Sequence, residues 1–258
     1  ITGRFPPTGQ GAYSRGRSSD PGCQDVVMTR LASSERQSLC DTFERVGPDA
    51  PTLCSPWLTR DLAAHLVVRE RRPDVAAGIW LPVLAGRTER VQNAYAAWDW
   101  PRLVERVRSG PPRWSPMSLP AMDKAINTIE FFVHHEDVLR GGPDWTARAL
   151  PSGVEHALWA IIPGITRVRF SGAAVGVRLI APSYGQRLVH PATDLGTVVV
   201  KGTPGELLLY SMGRRGVADV ELSGAVEALP ALRLTTKDDP ILHQPRGWSP
   251  RHTPRTRI

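Results

Sequence analysis

Long apolar runs are missing from this chain of 258 residues. No stretch of 18 or more consecutive apolar residues occurs, so the sequence predicts no membrane-spanning helix. The first residues also lack a basic segment followed by an apolar core, so no secretory signal peptide is expected. With 41% hydrophobic and 22% charged residues, the composition is typical of a soluble globular protein.

Cysteine is scarce, with three residues: Cys23, Cys40 and Cys54. Their spacing is too irregular for a disulfide framework and contains no Cys-x-x-Cys pair. A reducing compartment, the cytoplasm, is therefore the expected location. Cys54, beside Ser55-Pro56, lies in a loop expected near the site described below, and an inert thiol is favoured there over a reactive one.

A charge excess is missing from the central part of the chain. The formal net charge is +7, but residues 28–240 hold 25 basic and 23 acidic residues, so most of the excess lies at the two ends. A folded nucleic-acid-binding face is therefore not expected. Residues 1–27, rich in Gly, Ser, Pro and Arg, predict a disordered extension, and residues 240–258 a disordered basic tail.

The clearest helical pattern covers residues 119–140. Apolar residues recur there at helical spacing and predict one buried face. Glu130, His134 and Asp137 stand at i, i+4 and i+7, which places them on one stripe of the helix. A carboxylate and an imidazole one turn apart can bind the same divalent ion, and zinc accepts both donor types. A surface ion pair is the alternative unless a third ligand comes from elsewhere in the chain.

Other helices are predicted for residues 29–46, 59–70 and 152–162, the last one ended by Pro163 and Gly164. A further helical stretch is predicted for residues 88–109, with an interruption at Trp100-Pro101. His65 lies in the second of these, on the same side as its apolar residues. A histidine on an apolar helix face is usually a satisfied core residue.

Two motifs resemble those of the mycothiol-dependent maleylpyruvate isomerases, a branch of the DinB-like helical bundles. The first has the pattern Trp-x-x-Arg-Asp-Leu-x-x-His-Leu and is formed by Trp57, Arg60, Asp61, Leu62, His65 and Leu66. The second has the pattern Glu-x-x-x-His-x-x-Asp and is formed by Glu130, His134 and Asp137. The resemblance implies that His65, Glu130 and His134 hold a divalent metal, expected to be Zn²⁺, with an open position for water or a thiolate.

Three further residues acquire expected roles beside these ligands. Asp137 could accept a hydrogen bond that fixes the orientation of the His134 imidazole; the alternative is that Asp137 is an exposed polar residue without such a role. Arg69, four residues after His65, is a candidate for binding an anionic cofactor or substrate, with a surface ion pair as the alternative. The family's Thr after the Trp is Leu58 here, so Thr59 is the expected N-cap of the helix.

After about residue 170 the pattern changes from helical to strand-like. Short strands are predicted at residues 175–180, 186–189, 197–201 and 219–223, with a helix at 203–213 and another at 225–232. The pattern therefore predicts an α+β fold. The resemblance implies that residues 28–168 form a DinB-like four-helix bundle and that residues 169–239 form a small domain similar to the sterol-carrier-like domain of the same isomerases.

The resemblance also implies a function. It assigns to Arg214 the role of the catalytic arginine that reaches the metal pocket, although a cation stabilising the end of the preceding helix is the alternative. The expected activity is that of an isomerase or S-transferase that uses mycothiol or a similar low-molecular-weight thiol on a small electrophile. A non-catalytic metal-binding protein or a carrier of apolar ligands is the alternative, and a monomer or homodimer is expected.

Overall fold

The computed structural model describes residues 21–76, 82–115, 118 and 123–232. Most of the predicted extension, residues 1–20, and the predicted basic tail lie outside the described residues. No helix within the described ranges combines the length and apolarity needed to cross a bilayer.

The first part of the described chain is helical. Its elements are α1 (Pro21–Val46), α2 (Thr59–Arg71), α3 (Pro73–Ala76), a 3₁₀ turn (Pro82–Leu84), α4 (Ala85–Ala96), α5 (Trp100–Arg108), a π-helical turn (Asp123–Asn127) and α6 (Thr128–Leu139). Helix α1 packs against α5 and α6, and α2 packs against α4 and α5. This arrangement brings α2 and α6, which carry the predicted ligands, into one bundle.

Helix α1 begins earlier than the sequence pattern indicates. It starts at Pro21, and proline is well tolerated in a first helical turn, where its missing N–H has no helical partner to lose. Residues 21–27 therefore belong to a helix, and the prediction that the disordered extension runs to residue 27 is wrong for them.

The start of α2 also differs from the prediction. Leu58 occupies the N-cap position, and its backbone N–H donates to the Asp61 carboxylate at 3.0 Å. Thr59 is the first helical residue, and its hydroxyl donates to the carbonyl of Gly47 at 2.6 Å. The prediction of Thr59 as N-cap is wrong, because Asp61 satisfies the orphan N–H of Leu58 from inside the helix.

The second part of the described chain is an α+β unit. Its elements are α7 (Ser152–Arg169), β1 (Gly176–Ala181), β2 (Gly185–His190), β3 (Thr197–Lys201), α8 (Pro204–Ser211), β4 (Glu221–Ser223) and α9 (Ala228–Ala231). The strand order is β2-β1-β3-β4; β1 and β3 pair in parallel, and both outer pairs are antiparallel. The predicted α+β class is confirmed.

Helix α7 continues through Pro163, where the sequence pattern places its end. An interior proline costs about 3 kcal/mol of helix propensity. Ile162 and Thr166 on either side are fully buried, and Ile162 packs into the core beneath the sheet. Tertiary packing thus outweighs the local preference, and the predicted end at residue 162 is wrong.

Helix α6 lies between two apolar cores. Phe131 and Val138 pack into the core of the helical bundle, whereas Phe132 and Val133 pack into the core shared with α7, the sheet and α8. The prediction of one buried face is therefore wrong, since both faces of α6 are covered. Because the second core takes residues from both parts of the chain, the division into domains between residues 168 and 169 stays a prediction.

Candidate metal centre

The centre is built from two buried helices. His65 lies on α2, and its ring packs against the Trp57 indole with 5.1 Å between ring centroids. Glu130 and His134 lie one turn apart on α6. The exposed fractions of His65, Glu130 and His134 are 4%, 4% and 2%, so three polar side chains meet where apolar residues would otherwise be expected.

The three side chains converge on one point. Glu130 Oε1 lies 3.4 Å from His65 Nε2 and 3.3 Å from His134 Nε2. One donor atom from each residue lies within 4.8 Å of the other two. Ligands around a tetrahedral ion with bonds of about 2.1 Å lie about 3.4 Å apart. The spacing therefore suits a single cation held by two imidazoles and a carboxylate.

The hydrogen bonds of His134 also favour a metal ligand. Its Nδ1 lies 2.9 Å from the Asp137 carboxylate, to which it donates. Its Nε2 is buried and has no hydrogen-bond partner among the described residues. When the ring is neutral and Nδ1 carries its one proton, the lone pair of Nε2 is directed towards Glu130 and His65. A carboxylate behind a ligating histidine is the usual arrangement in metal centres, so the residues present fit a divalent cation.

The charge states at the centre follow from burial and neighbours. Burial alone would raise the pKa of Glu130, but the charge of Arg69 and the neighbouring imidazoles of His134 and His65 hold it well below its ordinary value. Burial lowers the pKa of His65, so its imidazole is neutral at neutral pH. Both residues are thus in the protonation state that metal binding requires.

His134 is the residue at which protons and a cation compete. Burial would lower its pKa, but the neighbouring side chains of Asp137, Cys54 and Glu130 together raise it well above the ordinary value in the metal-free protein. A proton on Nε2 blocks the lone pair that a cation needs.

Arg69 lies at the centre, as its spacing from His65 predicts. Its Nε is 3.4 Å from Glu130 Oε1, and another guanidinium nitrogen donates to the Asn127 side chain at 2.7 Å. The Arg69 side chain is only 9% exposed, so the ion pair with Glu130 is a buried one and not the surface pair considered as the alternative. The predicted cofactor-binding role of Arg69 stays a prediction.

Arg214 reaches the same region from the C-terminal part of the chain. Its Nε donates to Asp137 Oδ1 at 2.8 Å, a second nitrogen lies 2.5 Å from Asp137 Oδ2, and a third donates to the carbonyl of Met212 at 2.8 Å. Arg214 thus contacts the carboxylate behind His134. It also contacts a carbonyl at the end of α8, which is the helix-end contact considered above as the alternative to a catalytic role. Its predicted catalytic role stays a prediction.

A pocket of about 360 Å³ opens beside Arg214. It is lined by Leu53, Cys54, Ser55, Gly213, Arg214, Gly216 and Val217. The half-buried Cys54 thiol donates to Asp137 Oδ2 at 3.1 Å. Burial and the negative charge of Asp137 raise the pKa of Cys54, so the thiol is protonated at neutral pH. A protonated thiol is a poor nucleophile.

Cys54, His134 and Asp137 form a second group of potential ligands with the required spacing. Both oxygens of Asp137 are already bound by Arg214, and His134 Nδ1 is used in the bond to Asp137. The group with His65 and Glu130 therefore fits a cation better.

Two neighbours of the centre were not predicted as site residues. Asn127 binds Arg69, and Trp57 packs on His65. Asn127 stands three residues before Glu130, a spacing that places the two on the same helix face and could have indicated its position. Trp57 belongs to the first motif, but no role was assigned to it.

The sequence matches no protein-family model and no curated protein. The structure is similar to the crystal structures of the mycothiol-dependent maleylpyruvate isomerase and of a histidine-to-alanine mutant of that enzyme. For each, the TM-score is 0.52, the sequence identity is 16%, and the match covers 80% of this chain and 95% of the other. At this identity the similarity shows the fold, and at that level the resemblance predicted from the two motifs is confirmed.

Proposed function

We propose that this protein binds a divalent metal ion, with zinc as the preferred ion, through His65, Glu130 and His134. The observation that carries the proposal is the convergence of three buried donor atoms, one of which, His134 Nε2, has no hydrogen-bond partner among the described residues. Two imidazoles and a carboxylate are a ligand set that zinc accepts in catalytic centres, where a fourth position is left for water or substrate.

We further propose that the centre serves a thiol-dependent isomerase or S-transferase. A bound divalent cation would supply the electrophilic assistance that holds a thiol as its thiolate. The similar structures are of a mycothiol-dependent enzyme, so mycothiol or a related low-molecular-weight thiol is the proposed cosubstrate.

The chain's own residues would orient the reactants. Glu130 supplies the negative charge of the ligand set, and Asp137 fixes the ring of His134. Arg69 places a buried positive charge beside Glu130, where it can attract an anionic group of the cosubstrate. Arg214 lines the pocket beside Cys54, and the proposed place for the small electrophile is this pocket, whose volume is within the range usual for small-ligand sites. The reducing compartment and the monomeric or homodimeric state stay predictions.

The test combines metal content with turnover. Elemental analysis of the purified chain should give about one zinc per chain after dialysis against excess zinc. The loaded protein is then incubated with a low-molecular-weight thiol and a panel of small electrophiles, and the products are separated by mass: an isomer regenerates the thiol, whereas a transferase product retains it.

Chelator-treated protein is the control for this assay and should show no turnover. Saturable binding of apolar ligands without any turnover would contradict the enzyme and favour the carrier alternative. A chain that holds no metal at all would contradict the metal proposal itself.

A further inference from the structure

The guanidinium of Arg214 is held in a fixed direction by its own segment. Gly213 adopts a left-handed backbone with φ of +87°, which ends α8 and turns the chain. The backbone N–H of Arg214 then donates to the carbonyl of Leu209 at 3.0 Å, and its side chain donates to the carbonyl of Met212. Arg214 is 7% exposed. The Arg214 side chain is therefore held at the end of α8 by contacts that are separate from its contacts with α6.

Two further nitrogens of Arg214 face α6, and one of them also lies 3.5 Å from the Cys54 sulfur. They bind both oxygens of Asp137, and Asp137 in turn accepts from Nδ1 of His134. Burial alone would raise the pKa of Asp137, but the charge of Arg214 and the bond to His134 hold it far below its ordinary value. A continuous chain of charged hydrogen bonds thus runs from the C-terminal segment to the imidazole of a proposed ligand.

A second set of hydrogen bonds holds the segment that carries Arg214 against the end of α6. Arg140, just after α6, donates to Glu136 at 2.6 Å, to Glu206 at 2.6 Å and to the carbonyl of Val217 at 2.7 Å. Glu206 also accepts from the backbone N–H of Asp219 at 2.8 Å. The segment that carries Arg214 is therefore tied down on both sides of that residue.

We propose that Arg214 is a positioning residue of the metal centre, which acts through Asp137 on the orientation and tautomer of His134. The inference rests on the proposed function, because it presupposes that His134 is a ligand. A carboxylate that orients a ligating histidine contributes to metal affinity, and Arg214 is the group that orients this carboxylate. By reciprocity, a cation bound at His134 strengthens the packing of residues 213–219 on α6.

The experiment measures zinc affinity by competition with a chromophoric chelator. Arg214→Gln removes both bonds to Asp137 and should weaken zinc binding about 10- to 100-fold. Arg214→Lys keeps the charge but loses the planar fork, so its affinity should lie between those of the two other proteins. Arg215→Gln is the matched control: Arg215 stacks over Tyr210 and donates to the carbonyl of Leu232, and its loss should leave zinc affinity unchanged.

Two further readouts separate positioning from general destabilisation. The double variant with Arg214→Gln and Asp137→Asn should bind zinc no more weakly than Asp137→Asn alone, because both changes break the same chain of bonds. In hydrogen exchange, zinc should protect the amides of residues 213–219 in the wild-type protein and should fail to do so in Arg214→Gln.

An Arg214→Gln protein that keeps its helical circular dichroism and binds zinc as tightly as the wild type would overturn the inference while leaving the metal centre intact. If Arg214→Gln does not fold, Arg214→Lys decides in the same way. A wild-type chain that binds no zinc would overturn the proposed function and the inference together.

Discussion

At the scale of single residues, the centre depends on His65, the one proposed ligand that comes from outside α6. Its imidazole is neutral because burial lowers its pKa, and its Nε2 faces Glu130. The sequence spacing on α6 is enough to pair Glu130 with His134. It cannot place His65, which is 65 positions before Glu130, and only the resemblance of the first motif assigned it to the site.

The variant His65→Ala should lose stoichiometric metal, because two ligands from one helix turn hold a divalent ion weakly. Elemental analysis of the purified, dialysed variant measures the loss, and circular dichroism checks that the fold is kept. His156→Ala, at an exposed position on α7, is the control and should retain the wild-type metal content. Full occupancy in His65→Ala would remove this residue from the centre.

Glu35 on α1 should make stability depend on pH. Burial would raise its pKa, but the bonds to His135 at 2.9 Å and to Arg148 at 3.1 Å leave it below the ordinary value. A carboxylate with a lowered pKa in the folded state stabilises the protein above its unfolded pKa of about 4.3, and this stabilisation is lost as the pH falls through the folded value.

We therefore expect Glu35→Gln to lower the free energy of unfolding by about 2 kcal/mol at pH 7, with a smaller difference from wild type at about pH 3.5. Urea denaturation at the two pH values measures this. Glu44→Gln, which removes an exposed partner of Arg108, should change little at either pH. If Glu35→Gln lowers the free energy of unfolding by the same amount at both pH values, the ion pairs assigned to Glu35 with His135 and Arg148 would be contradicted.

At the scale of elements, local patterns predicted most of the structure. Strand β3 was predicted at the residues where it is observed, because a run of consecutive β-branched residues between turn residues is a strong local signal. The errors occur where packing decides. Helix α7 continues through Pro163 because its neighbours are buried, and α6 is covered on both faces because two cores meet on it.

Gly141, just beyond α6, should be intolerant of any side chain. A Cβ at this position would lie 2.2 Å from the carbonyl oxygen of Pro51 and 2.8 Å from the Cα of Thr52. These are backbone atoms of the loop that carries Cys54, and that loop is also bonded to α6 through the N–H of Leu53 and the carbonyl of Asp137. The close approach of loop and helix end therefore requires glycine.

Replacing Gly141 by Ala should lower the free energy of unfolding by about 1–3 kcal/mol, the usual range for overpacking. Gly142→Ala is the matched control, because a Cβ there meets no atom within 4 Å. Denaturant unfolding of the two variants measures the difference. Equal stability of Gly141→Ala and Gly142→Ala would contradict the described packing of the loop on α6.

At the scale of the whole molecule, α6 joins the helical bundle to the α+β unit. The contacts that complete the centre join distant positions: Arg214 is 77 residues from Asp137, and Cys54 is 83 residues from it. No periodicity in the sequence predicts such pairs. The resemblance predicted that an arginine of the second part approaches the metal pocket, but not that its guanidinium is bound to Asp137.

The most direct test of the account is a crystal structure of the zinc-loaded protein with anomalous scattering measured at the zinc absorption edge. We predict one strong anomalous peak, about 2.0–2.2 Å from His65 Nε2, His134 Nε2 and a Glu130 oxygen. A peak located instead between Cys54, His134 and Asp137, or no peak near α6, would contradict the central claim.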